Sequence, residues 1–181
     1  MTPGCYPYGT VWPTIDPSAW IAPGARVIGA VTLAAESGLW FNVVVRGDVE
    51  PVSIGARTNI QDGTVIHVTR HGWPTVIGSD VTVGHAALLH ACIIEDRAFI
   101  GMGAVVMDGA RIESDAMLAA GSLLTPHKTV PRGELWGGRP ARFMRKLTEE
   151  EIAHIMISAN NYRLHAEEYR AMMQASPSLW R

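Results

Sequence analysis

The chain has 181 residues, 48% of them hydrophobic, and a formal charge of -2; it is long enough to bury one core and too apolar to stay disordered. Its near-neutral balance and pI near 6.4 argue against a nucleic-acid or anionic-surface binder, and no apolar run approaches the roughly 18 residues of a membrane span. Two cysteines, Cys5 and Cys92, with no Cys-x-x-Cys pair exclude a disulfide framework and a cysteine-based zinc finger. Met1 to Gly9 lacks a basic region followed by an apolar stretch, so the expectation is a soluble, cytoplasmic protein with no membrane and no nucleic-acid partner.

From residue 11 onward the chain repeats. Ile15, Ile21, Val27, Leu33, Leu39 and Val45 recur every six residues, followed after a jump by Ile54, Ile60 and Ile66, then by Ile77, Val83 and Leu89, and last by Ile94, Ile100, Val106, Ile112, Leu118 and Leu124. All 18 positions are Ile, Leu or Val, types that make up only 41 of the 181 residues. A period of six matches neither a helix nor a sandwich; it is the mark of a parallel β-helix built from hexapeptides, one aliphatic per hexapeptide pointing to the axis. Each such burial is worth about 1.5–3 kcal/mol. Eighteen rungs predict an all-β solenoid of about six triangular coils over residues 11–125. Grouped in threes from Ile15, the three jumps fall between the third rung of one coil and the first of the next, so irregularity is confined to one edge. Residues 126–147, rich in Pro and Gly, read as an irregular connector. Thr148 followed by Glu151 is a capping box, and Ile152, Ile155, Met156, Ala159, Tyr162, Ala166, Tyr169 and Met173 keep helical spacing. They predict one long C-terminal α-helix over 148–174, packed along a face of the prism.

The repeat places side chains in space. Val45, Ile66 and Leu89 are third rungs of successive coils, so Arg46, His67 and His90 stack in one column, about 4.8 Å per coil. Two residues after the second rungs Ile60 and Val83 come Asp62 and His85, a second column with Gln61 beside it. One prism edge is far from the next, so His85 does not reach an ion held by His67 and His90 of its own chain; a threefold ring of chains, closed by 120° rotation, brings it there from a neighbour, and Arg46 then meets the neighbour's Asp62. Three neutral imidazoles with an open fourth position make a catalytic zinc-type site, in which the pKa of bound water falls to about 7. Fe2+ or Co2+ also accepts imidazole, so spacing leaves the metal open. A lone histidine is more often structural, and two stacked ones also suit a packing ladder. His71, His127, His154 and His165 lack the geometry and are expected in solvent. Read alone, Arg46-Gly47-Asp48 is a loop with a local ion pair and Tyr162 is helix core.

The ordered set Arg46-Gly47-Asp48, Asn59-Ile60-Gln61-Asp62-Gly63, His67, Val83-Gly84-His85 and Leu89-His90 resembles the gamma-class carbonic anhydrase family. The resemblance runs over nearly the whole chain. It resembles in particular the short bacterial carbonic anhydrase-like branch, with Ser158-Ala159-Asn160-Asn161-Tyr162 in the tail helix. It implies a left-handed β-helix, a homotrimer, and Zn2+ held by His67 and His90 of one subunit and His85 of the next. It further implies that Gln61 orients the reactants of CO2 hydration to bicarbonate, that Arg46, Asp48 and Asp62 are intersubunit ion-pair positions, and that Tyr162 is an active-site tyrosine. The chain departs from the family pattern at Val49 and Arg70, where well-studied members carry glutamates associated with proton export. Two other classes share the scaffold: a hexapeptide-repeat acyltransferase, with a metal-assisted thioester hydrolase as a variant of the metal geometry, and a trimer whose metal is only structural.

Overall fold

A computed structural model describes residues 4–180. The six-residue rungs are short parallel strands stacked on three faces of a prism. On the first face Ile15, Leu33, Ile54, Ile77, Ile94 and Ile112 pair in register and continue to Val130. On the second, Ile21, Leu39, Ile60, Val83, Ile100 and Leu118 continue to Trp136. On the third, Cys5 precedes Val27, Val45, Ile66, Leu89, Val106 and Leu124. The 18 expected rungs thus all lie on the ladder, and three more extend it to about seven coils instead of six. Their aliphatic side chains form the core: Leu39, Ile60, Ile66, Leu89, Ile100 and Leu118 are wholly buried.

The 126–147 connector is corrected. Thr129–Val130 is a further rung, and Glu134–Gly138 pairs antiparallel with Ala141–Lys146 in a hairpin that closes one end of the sheet. The period itself continues here, from Leu124 to Val130 to Trp136, under a run of Pro and Gly that resembles a linker.

Corners need a reversal within four residues, and the chain makes it with one residue in the left-handed region. Between the second and third faces these are Gly24, Asn42, Gly63, Ala86, Gly103 and Gly121; between the first and second they are Glu36, Arg57, Asp80, Arg97, Asp115 and Gly133. The third-to-first edge is mixed: strands Arg26–Leu33 and Val44–Ile54 run through it and the 68–74 insertion leaves it, while the later coils turn there at Ala91, Gly109 and His127.

The helix spans Glu149–Ala175, and both halves of the capping box form: Thr148 Oγ1 accepts from Glu151 N at 3.2 Å and Glu151 Oε2 accepts from Thr148 N at 2.9 Å. It lies on the second face, whose outward residues Gly38, Asn59 and Thr82 leave a shallow, small-residue surface. Ile155, Ala159 and Ala166 are buried there. Trp20, Trp40, Tyr162 and Tyr169 pack mostly edge-to-face, Trp40 lying 5.2 Å from Tyr162 and 4.9 Å from Trp20 between ring centroids. Among the described residues no helix is long and apolar enough to cross a membrane.

Candidate metal centre

Register puts His67 directly beside His90 on adjacent third-face strands. His67 Nδ1 and His90 Nε2 face each other at 3.2 Å. Each ring turns its other nitrogen to a carboxylate: His67 Nε2 lies 3.0 Å from Asp48 Oδ1, and His90 Nδ1 lies 2.7 Å from Asp108 Oδ1. Burial pushes the Asp48 carboxyl up, but hydrogen bonds from His67 and Arg46 and the Arg46 charge outweigh it and hold it below the usual range. Burial likewise acts on Asp108 and is outweighed by hydrogen bonds from Thr69 and His90. Both carboxylates are therefore ionised at neutral pH and only accept, so the outer ring nitrogens carry the hydrogens. The inner nitrogens then present lone pairs to each other, an arrangement that is repulsive unless a cation, proton or metal, lies between them.

The donor set fits a metal. Two nitrogens at about 2.0–2.1 Å from a tetrahedral zinc stand ~3.3 Å apart, close to the separation of the two inner nitrogens. A carboxylate behind each imidazole is the usual outer support of a histidine ligand. Yet among the described residues no third histidine, cysteine or carboxylate joins them in one chain.

His85 lies on the opposite margin of the third face, in the corner that follows Val83. Its Nδ1 is 2.7 Å from Asp62 Oδ2, the residue one coil away, and the ring is 42% exposed. With the hydrogen on Nδ1, its outward Nε2 is a third lone pair oriented by a carboxylate. Beside it Gln61 is buried, and its Nε2 donates to Asn59 Oδ1 at 3.1 Å. Asn59 in turn donates to Thr82 Oγ1 at 3.0 Å. Tyr162 reaches the same margin from the helix. Burial, and then the negative charge of Asp62, push its phenol above the ordinary tyrosine value, so it stays an O–H donor at neutral pH.

The expected residues thus form two groups. Arg46, Asp48, His67 and His90 stand on one edge, where Arg46 is exposed and paired with Asp48. Gln61, Asp62, His85 and Tyr162 stand on the other. Between them the third face shows solvent a column of aliphatics, Val44, Val65, Leu88, Val105 and Leu123, in which Val65 and Leu88 are 40% and 38% exposed. His71, His127, His154 and His165 are exposed, as expected. The residues that sequence reasoning missed are Asp108 and Thr69. Asp108 follows His90 by 18 residues, one regular coil, and that spacing was the available signal.

The hexapeptide repeat of succinyl-transferase matches residues 92–126. The chain is 49% identical over 165 residues to the mitochondrial gamma carbonic anhydrase 2 of Arabidopsis thaliana, covering 86% of this chain and 59% of that protein; it therefore spans about three-fifths of the length of that relative. It is 40% identical over 173 residues to a carbonic anhydrase of Geobacillus kaustophilus, covering 96% of this chain and 94% of that one. Among solved structures, a hexapeptide transferase family protein from Anaplasma phagocytophilum superposes with a TM-score of 0.89 at 48% identity, covering 93% of this chain and 99% of that one. With such identity along nearly its whole length, and with the histidine columns in register, the chain belongs to the gamma carbonic anhydrase family of the hexapeptide-repeat superfamily.

Proposed function

We propose that this protein is a metal-dependent carbonic anhydrase-like enzyme that hydrates CO2 reversibly at a site shared between subunits of a homotrimer. His67 and His90 of one chain and His85 of the next hold the ion, Zn2+ in our reading, with Fe2+ and Co2+ as chemically acceptable substitutes. The observation that carries the proposal is the pair of carboxylate-backed imidazoles whose free nitrogens meet at 3.2 Å. The trimer is supported by the aliphatic column of the third face, flanked by the histidine pair on one margin and His85 on the other. A face of that kind docked on a rotated copy buries Val65 and Leu88 and brings unlike margins together.

Zinc in such a site supplies a nucleophile at neutral pH by lowering the pKa of its bound water to about 7. The chain's own residues do the rest. Asn59 fixes the Gln61 amide so that it faces the site margin in one orientation. Tyr162, kept protonated, offers a donor beside it. On the second-face side of this margin the helix packs Tyr162 edge-on against Trp40. Arg46 and Asp62 each have a partner within the chain, Asp48 and His85, and both remain exposed enough to meet across an interface. Because Val49 and Arg70 replace the family's glutamates, proton export falls to buffer, and turnover is expected to be slow and buffer-dependent.

The test is metal analysis of the purified protein, followed by CO2-hydration kinetics on protein loaded separately with zinc, cobalt and anaerobic iron. The proposal predicts about one tightly bound ion per chain and hydration that His90→Ala abolishes. Absence of metal would favour acyl transfer, the other chemistry that shares this scaffold. Metal with no hydration under any loading would favour a structural ion.

A further inference from the structure

One side chain near the histidine pair has no part in the motifs that carry the family resemblance. Asp108 stands one coil beyond His90, two residues past the rung Val106, and its carboxylate takes the His90 Nδ1 hydrogen at 2.7 Å. Thr69 comes from elsewhere: it stands near the start of the 68–74 insertion, the widest break in the six-residue period. Its hydroxyl donates to the second Asp108 oxygen, Oδ2. The same hydroxyl is 3.5 Å from His90 Nδ1, too far to compete for that ring nitrogen. The carboxylate is therefore held at both ends, by a hydroxyl from the insertion and by the imidazole.

We propose that Asp108, clamped by Thr69, is a positioning residue that fixes the tautomer and ring orientation of His90 so that Nε2 is presented for the ion. This rests on the metal reading above. The consequence is chemical. Without an acceptor at Nδ1 the imidazole divides between its two tautomers and rotates about its side-chain bonds. Metal binding must then select one state from several. Loss of such an outer partner costs 10- to 100-fold in metal affinity. The insertion acquires a purpose by the same reasoning: it lifts a hydroxyl over the edge to the coil that carries Asp108, which a regular six-residue corner does not do.

The experiment measures dissociation constants for Zn2+ and for Co2+, each by chelator competition, on the full-length wild type, Asp108→Asn and Thr69→Val, with the Co2+ absorption spectrum and the thermal midpoint of the metal-free protein alongside. The proposal predicts a 10- to 100-fold weaker constant for Asp108→Asn, a smaller loss in the same direction for Thr69→Val, and altered Co2+ bands in both. Metal-free midpoints should stay at the wild-type value, because Asp108 is a partly exposed edge residue outside the core. Affinity unchanged in Asp108→Asn overturns the proposal and leaves the metal reading standing. A loss of affinity matched by a loss of metal-free stability also overturns it, since the role is then structural. A wild type that takes up neither ion overturns the metal reading and this inference together.

Discussion

Asp115 shows how single residues serve the coil. It occupies a first-to-second corner in the left-handed conformation, φ 59°, with its carboxylate 6% exposed. Arg97 from the preceding coil grips both oxygens at 2.7 and 3.1 Å, and Arg132 from the next reaches it at 2.7 Å. One coil further back Arg57 holds both oxygens of Asp80 at 2.7 Å, so this corner carries a ladder of alternating charge. The hydrogen bond from Arg97, then its charge and that of Arg132, hold the Asp115 carboxyl below its ordinary value against burial. A carboxyl lowered in the folded state contributes stability that is complete above its unfolded value near 3.8 and is lost as pH falls through the lowered one. Asn tolerates the same backbone, so Asp115→Asn isolates the charge. It should cost roughly 1–2 kcal/mol at pH 7, discounted for two solvent-facing arginines, and the gap should narrow as pH falls below the unfolded value near 3.8 and through the lowered one. Thermal midpoints of both proteins across that range check this; a gap independent of pH contradicts it. At this scale the sequence was partly legible. His67, His90 and His85 were placed because their neighbours were rungs. Asp108 and the corner ladder were not, because an aspartate after a rung looks like ordinary turn chemistry.

Elements here are defined by what cannot fit as much as by what is buried. Several rungs are followed by Gly, at 55, 78, 84 and 101, and the coil spacing explains it. A Cβ on Gly101 would lie 2.6 Å from the carbonyl carbon of Ala119 in the next coil, and one on Gly84 2.7 Å from the Met102 nitrogen. Gly103 differs: it is a corner at φ 66° with nothing near its missing Cβ. Gly101→Ala must push two coils apart and should destabilise by about 3 kcal/mol or more, or fail to fold. Gly103→Ala meets only the left-handed penalty of about 1–2 kcal/mol, which Ala86 already bears at the equivalent corner of the preceding coil. Denaturant titration of the two variants decides this, and equal losses would refute it. Rung positions were legible because six-residue spacing is rare by chance. The last coil was not, because Trp136 is aromatic where a Leu or Ile is expected and its corners are filled with Pro and Gly. The antiparallel strand Ala141–Lys146 shows almost no inward residue, only Ala141 being buried, so no alternation announced it.

The whole molecule has three faces with three fates. The helix covers the second. The first is mixed: Thr32, Ser53, Arg111 and Thr129 face outward around Val76 and Ile93, with Val76 37% exposed. The third shows aliphatics outward as well as inward, a waste of hydrophobic surface in a monomer and a seam in an oligomer. Leu88→Asp, on the outer side of that face, should leave the coil's circular dichroism intact, convert the proposed trimer to monomer in light scattering, and abolish tight metal binding, since among the described residues no single chain brings three ligands together. A metal-loaded monomer would refute that linkage.

The central claim, that each site takes His67 and His90 from one chain and His85 from its neighbour, is tested most directly by complementation. His85→Ala and His90→Ala proteins are each assayed for bound metal, then unfolded, mixed in equal amounts and reassembled. Neither variant alone should hold metal tightly. In the mixture a site is intact when a chain with both His67 and His90 adjoins one with His85, so random reassembly should restore about one quarter of the wild-type metal. No recovery on mixing, or full metal binding by the His85→Ala protein alone, would contradict the account.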